Sequence, residues 1–92
     1  MRRDLARLRD AGLRRIRISA LVTKVTRMSV VRLEDIFTPT GEIDHMWIGS
    51  RDWKGGRIPR EGDRIEALAD IEPYCRRDGS QDLGLFSLEV LP

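Results

Sequence analysis

The stretch "IRISALVT", Ile16 to Thr23, sets Ile16, Ile18, Ala20 and Val22 against Arg17, Ser19, Leu21 and Thr23. A period of two sends alternate side chains to opposite faces, which is the pattern of a β-strand with one face in a core. The same period recurs outward from this strand. "SVVRLEDIFT" (Ser29 to Thr38) puts Val31 and Leu33 on one face, and the adjacent acids Glu34 and Asp35 before Ile36 and Phe37 predict a change of face through a bulge. Pro39 and Gly41 in "TPTGE" mark a tight turn into "IDHMWIG" (Ile43 to Gly49), so these two strands form a hairpin.

Further along, "SRDWKGGRIPREGD" (Ser50 to Asp63) breaks the strand pattern with Gly55, Gly56, Pro59 and Gly62. It predicts a loop with one helical turn at Ser50 to Lys54, capped by Ser50. "DRIEALADIEPY" then alternates again, with Ile65, Ala67, Ala69 and Ile71 inward and Pro73 as its end. Asp78-Gly79 in "CRRDGSQD" is a hairpin signal, and "LGLFSLEVL" closes the chain as a fifth strand with Gly84, Phe86, Leu88 and Val90 on one side.

Before the first strand, "RRDLARLRDAGLRR" changes period: Leu5, Leu8 and Ala11 form the apolar stripe of one short helix, ended by Gly12. The chain thus divides into an arginine-rich N-terminal helix, residues 1 to 12, and a barrel, residues 13 to 92. The charge divides in the same way. Residues 1 to 17 carry seven arginines (Arg2, Arg3, Arg7, Arg9, Arg14, Arg15, Arg17) against Asp4 and Asp10, while the rest holds 10 basic and 13 acidic side chains. The formal net charge of +2 therefore conceals a basic arm on a slightly acidic body. Guanidinium groups pair with phosphate or carboxylate in two-point geometry, although a charge run also serves simply to solvate a helix.

With 92 residues the chain is one domain with one small core, which excludes an enzyme built of separate cofactor and substrate domains. Hydrophobic residues at 40% and charged residues at 35% place it among soluble globular domains. No apolar run approaches the ~20 residues of a membrane span. The lone cysteine, Cys75, and the lack of a secretory leader give the expectation of a cytoplasmic location.

Five strands with a short helical break between the third and fourth predict an all-β fold, a five-stranded antiparallel OB-fold-like barrel. Small inward residues such as Ala67 and Ala69 suit a tight barrel interior. An SH3-like barrel shares the strand count. The runs "VVRLEDIFTPTGEIDHMWI", "REGDRIEALADIEPY" and "LGLFSLEV" together resemble a loose group of small uncharacterised bacterial and mobile-element proteins with OB-like barrels. The resemblance covers roughly residues 28 to 90, not the arginine-rich arm. It implies the fold, and association with nucleic acid.

Chemistry is sparse. Asp44-His45 is the one acid–histidine pair, with His45 expected on the face of Ile43 and Trp47, and no second histidine or cysteine supplies zinc spacing. None of the serines has a nucleophile-elbow context, and "GGRIPREG" lacks the Gly-Lys-Ser/Thr ending of a phosphate loop. No catalytic residue, metal or cofactor is expected. Trp47 reads as core, whereas Trp53, in its glycine-rich bend, reads equally as a lid or as an exposed ring.

OB-folds that hold a single strand use the face of strands two and three with the loops joining strands one to two and four to five. The matching residues are Lys24, Arg27 and Arg32 on the first pair, Tyr74, Arg76 and Arg77 on the last, and Trp53 in the bend. The reading is a non-enzymatic module binding single-stranded DNA or RNA. The alternative is a protein-interaction or oligomerisation domain docking on a partner or second copy through Leu5, Leu8 and the N-terminal arginines.

Overall fold

The structure, a computed structural model, describes residues 3 to 92, so Met1 and Arg2 of the arginine-rich arm lie outside the described residues. One helix precedes five strands: α1 (Arg3–Asp10), β1 (Arg15–Val25), β2 (Val31–Phe37), β3 (Glu42–Ile48), β4 (Arg64–Cys75) and β5 (Gln81–Val90). All neighbours are antiparallel in the order β3-β2-β1-β4-β5, and the sheet curls into a half-open barrel. The fold is all-β and OB-like, as the periodicity predicts.

β1 lies at the centre of the sheet because both its edges find partners. Its Ile16, Ile18, Ala20 and Val22 are buried, and they meet Ile65, Ala67, Ala69 and Ile71 of β4 in one core. The expected change of face on β2 is present. Ser19 and Leu21 of β1 oppose Phe37 and Glu34, leaving one extra residue on β2, and Asp35 takes up the excess in the left-handed region at φ 48°. β3 turns with it, so Ile43 and Met46 are buried while Asp44 and His45 between them are exposed. His45 therefore shares a face with Trp47 and not with Ile43.

That shift overturns the core reading of Trp47, while Trp53 takes the lid position of its two readings. Trp47 lands on the outward parity and is 49% exposed, whereas Trp53 is 2% exposed. Two 3₁₀ turns, Ser50–Asp52 and Lys54–Gly56, carry Trp53 over the barrel end, where its backbone bridges Leu88 of β5. The first turn starts from Gly49 without a side-chain cap, so Ser50 is not the N-cap. The Trp53 indole Nε1 is buried without a hydrogen-bond partner among the described residues, a cost of about 1–3 kcal/mol set against the large apolar area of the ring.

α1 occupies the opposite end. The N–H of Gly12 donates to the Arg9 carbonyl (2.9 Å) and that of Leu13 to the Leu8 carbonyl (2.9 Å), with Gly12 at φ 85°; this is a Schellman cap. Leu5 and Leu8, which the alternative reading assigns to a partner, are 0% and 2% exposed and belong to the barrel core. They are consumed by the chain's own packing because the barrel end needs covering. Gly41 permits the close approach of the helix: a Cβ there would come within 2.4 Å of the Asp4 carboxylate.

Two expectations about the last strands change. Pro73 does not end β4, which continues to Cys75. The Ile71 N–H points towards β1 and donates to the Arg14 carbonyl (2.7 Å). Position 73 faces the same way, beyond the start of β1, where a missing N–H costs no ladder bond. On β5, Leu83, Leu85 and Leu88 are buried, while Gly84 and Phe86 lie on the other face. The extra residue is Ser87 at φ 51°, between the Asp70–Phe86 and Leu68–Glu89 pairs.

Candidate nucleic-acid interface

Among the described residues β3 and β5 are the two ends of the sheet, and no ladder joins them. Curling brings their edges to the two sides of a cleft of about 340 Å³. Met46 to Gly49 form one wall, Gly84 to Phe86 the other, Tyr74 reaches in from β4, and Asp52 comes from the first 3₁₀ turn. Trp47, Tyr74 and Phe86, three of the five aromatic side chains in the chain, thus line one opening.

The rings are set by the strand registers. Tyr74 opposes Asp82, and Phe86 opposes Asp70, so both rings lie on the outer face with Gly84 between them. They meet edge to face, with centroids 6.3 Å apart and planes at 67°. Gly84 makes room for this pair, since a Cβ would sit 3.1 Å from the Phe86 ring and 3.2 Å from the Tyr74 ring.

Cations flank the aromatic cleft. Arg32 pairs across the sheet with Lys24 on β1 and Trp47 on β3, which puts all three on one outer row. Arg32 is bound to Glu34 (3.1 Å), whereas Lys24 is exposed and has no acidic partner among the described residues. Arg27 is exposed at the β1–β2 hairpin, next to Met28, which is 78% exposed. At the other end, Tyr74, Arg76 and Arg77 border a shallow continuation of the groove with Asp44 and His45, whose Nδ1 lies 2.9 Å from Asp44 Oδ2.

Arg76 and Arg77 are not equivalent. Asp82 is 1% exposed and forms an ion pair with Arg76. Its Oδ1 also accepts the Leu83 N–H (2.7 Å). The hydrogen bond to Asp82, reinforced by its charge and by Tyr74, holds the Arg76 guanidinium above its ordinary range. Arg76 thus covers a buried carboxylate, while Arg77 is exposed at the turn. Asp78 closes that turn by accepting from the Ser80 hydroxyl (2.6 Å) and N–H (2.9 Å), and these bonds hold its carboxyl below the usual aspartate range.

Of the residues expected at the interface, Tyr74, Arg76 and Arg77 border this groove, Lys24 and Arg32 lie on the outer row that leads to Trp47, and Arg27 is exposed on the β1–β2 hairpin. Trp53 does not join them, because its ring fills the barrel end. Trp47, Phe86 and Asp52 are additions. The flip at Asp44-His45 and the bulge at Ser87 decide their faces, and neither has a signature in simple alternation. Among the described residues, no group of three or more His, Cys, Asp and Glu side chains could hold a metal ion. No helix among them is long and apolar enough to cross a membrane. Comparison with protein-family models, curated proteins and solved structures returns no match, and the resemblance over residues 28 to 90 is neither strengthened nor opposed by it.

Proposed function

We propose that the chain is a non-enzymatic module that binds single-stranded nucleic acid along the β3–β5 seam and the adjoining outer face of β2 and β3. The observation that carries the reading is the convergence of Trp47, Tyr74 and Phe86 on one cleft, with Arg77 exposed at its shallow continuation and Lys24 and Arg32 on the outer row that leads to Trp47. Every base has a π-face, so rings at an open cleft stack bases whatever their sequence, and flanking cations neutralise the phosphates between them. A basic surface without rings would favour a duplex backbone as well; the aromatic cleft favours unpaired bases.

Because Trp53 is buried and Trp47 half exposed, tryptophan fluorescence reports on the cleft through Trp47. Titration with a short oligothymidylate at low salt is expected to quench that signal, and duplex DNA of the same length to quench it much less. Trp47→Ala is expected to weaken binding by about 1–3 kcal/mol while leaving the far-ultraviolet circular dichroism unchanged. Equal affinity for single strand and duplex, or no effect of Trp47→Ala on binding, would sink the proposal.

A further inference from the structure

Asp52 does not fit a generic stacking platform. Its carboxylate lies in the aromatic cleft, half buried, and no hydrogen bond or ion pair engages it among the described residues. The 3₁₀ turn holds it in place, since the Asp52 N–H donates to the Gly49 carbonyl (3.1 Å) and a Cβ on Gly49 would lie 3.7 Å from Oδ2. An ionised carboxylate is acceptor-only, so only a group that donates can pair with it. It also repels phosphate. The polyanion backbone is therefore kept to the flanking cations, and what enters the cleft is a base edge that can donate.

The four bases differ sharply in what they offer a carboxylate. Guanine presents N1–H and N2–H side by side, two parallel donors that match the two oxygens. Adenine and cytosine offer one amino group beside a ring nitrogen that repels the acid. Thymine and uracil offer one imide N–H between two carbonyls. The cleft volume of about 340 Å³ is within the roughly 300–1,000 Å³ range of small-ligand pockets. Trp47, Tyr74 and Phe86 line its walls, and Gly84 makes room for the Tyr74 and Phe86 rings.

Resting on the single-strand reading above, we propose that the β3–β5 cleft is a guanine-selective subsite in which Asp52 accepts N1–H and N2–H of a base stacked among Trp47, Tyr74 and Phe86. A rival ligand for three rings and an acid is a quaternary or primary ammonium group, held by cation–π attraction. Arg76 and the exposed Arg77 at the groove disfavour a cationic ligand and favour a polyanion, so the base is the better match.

The test uses the full chain and oligothymidylates of one length carrying a single central guanine, hypoxanthine, adenine or cytosine, followed by Trp47 fluorescence. The guanine strand is expected to bind about tenfold more tightly than the all-thymine strand. Hypoxanthine, which keeps N1–H but lacks the amino group, is expected to fall between them. Asp52→Asn should bring guanine to parity with thymine. Equal affinity for all strands on the unaltered protein, or a guanine preference that survives Asp52→Asn, overturns the subsite while leaving single-strand binding in place. No binding to any strand overturns both proposals, and quenching by a trimethyl-lysine peptide instead would assign the cleft to a cation.

Discussion

Neighbouring arginines of the β4–β5 hairpin illustrate how little residue type reveals about role. Arg76→Ala removes the guanidinium that covers the buried Asp82, so a fall in melting temperature is expected by circular dichroism, whereas Arg77→Ala should leave stability unchanged and lower only affinity. A charge-reversed double variant at both positions would confuse unfolding with lost binding. Asp78 gives a pH signature at the same hairpin. Its carboxyl is held below the usual aspartate range by Ser80, so its contribution is complete above the unfolded-state value and is lost as pH falls through the depressed one. Nuclear magnetic resonance titration of the Asp78 carboxyl should show a midpoint below that of an ordinary aspartate, and Ser80→Ala should raise it. Gly84 adds a steric test: Gly84→Val forces Tyr74 and Phe86 apart, so a changed near-ultraviolet spectrum and weaker oligonucleotide binding are expected together.

Among the elements, α1 is part of the barrel and not an appendage. Leu5 and Leu8 complete the core at the end marked by the β2–β3 turn, so Leu8→Ala is expected to cost about 2–5 kcal/mol in chemical denaturation. Gly12→Ala, which forces a Cβ into the left-handed cap, should cost about 1–2 kcal/mol. A chain starting at residue 13 should lose the cooperative transition, because the vacated end would expose core leucines and isoleucines to water. The strands show the reverse relation between pattern and packing. Alternation in β1 and β4 was legible because these central strands are straight enough for parity to hold over their inner residues. Alternation in β3 and β5 misleads because each changes face once. At Glu34-Asp35 two adjacent acids before two apolar residues announced the shift; Ser87 has no such neighbour.

For the molecule as a whole, the exposed cations Lys24 and Arg27 lie at or beside the β1–β2 hairpin at one end of the barrel, and Arg77 lies at the β4–β5 hairpin at the other. Three phosphate contacts to a single strand give an expected slope of log affinity against log salt of about −2, and each charge removed should flatten it by about 0.7. A slope unchanged by Lys24→Ala, Arg27→Ala and Arg77→Ala would place the phosphates elsewhere. The exposed arginines of α1, including Arg7 and Arg9, are not among the residues that line the aromatic cleft, so their removal should change that slope less than removal of Arg77 does.

Local chemistry determined the strands, the turns at Gly12, Gly41 and Gly79, and the all-β class, because periodicity and turn residues act over a few positions. It also picked out Tyr74 and the cations of the two hairpins, since loop position in an OB-like order follows from strand order alone. Which tryptophan faces water was settled only by the tertiary structure. A single bulge inverts every later side chain on a strand, and whether the sheet bulges depends on how far it must curl to close over its core. The same curl brings Trp47 of β3, Phe86 of β5 and Asp52 of the intervening turn to one cleft, a meeting across 39 positions of sequence that no local pattern encodes.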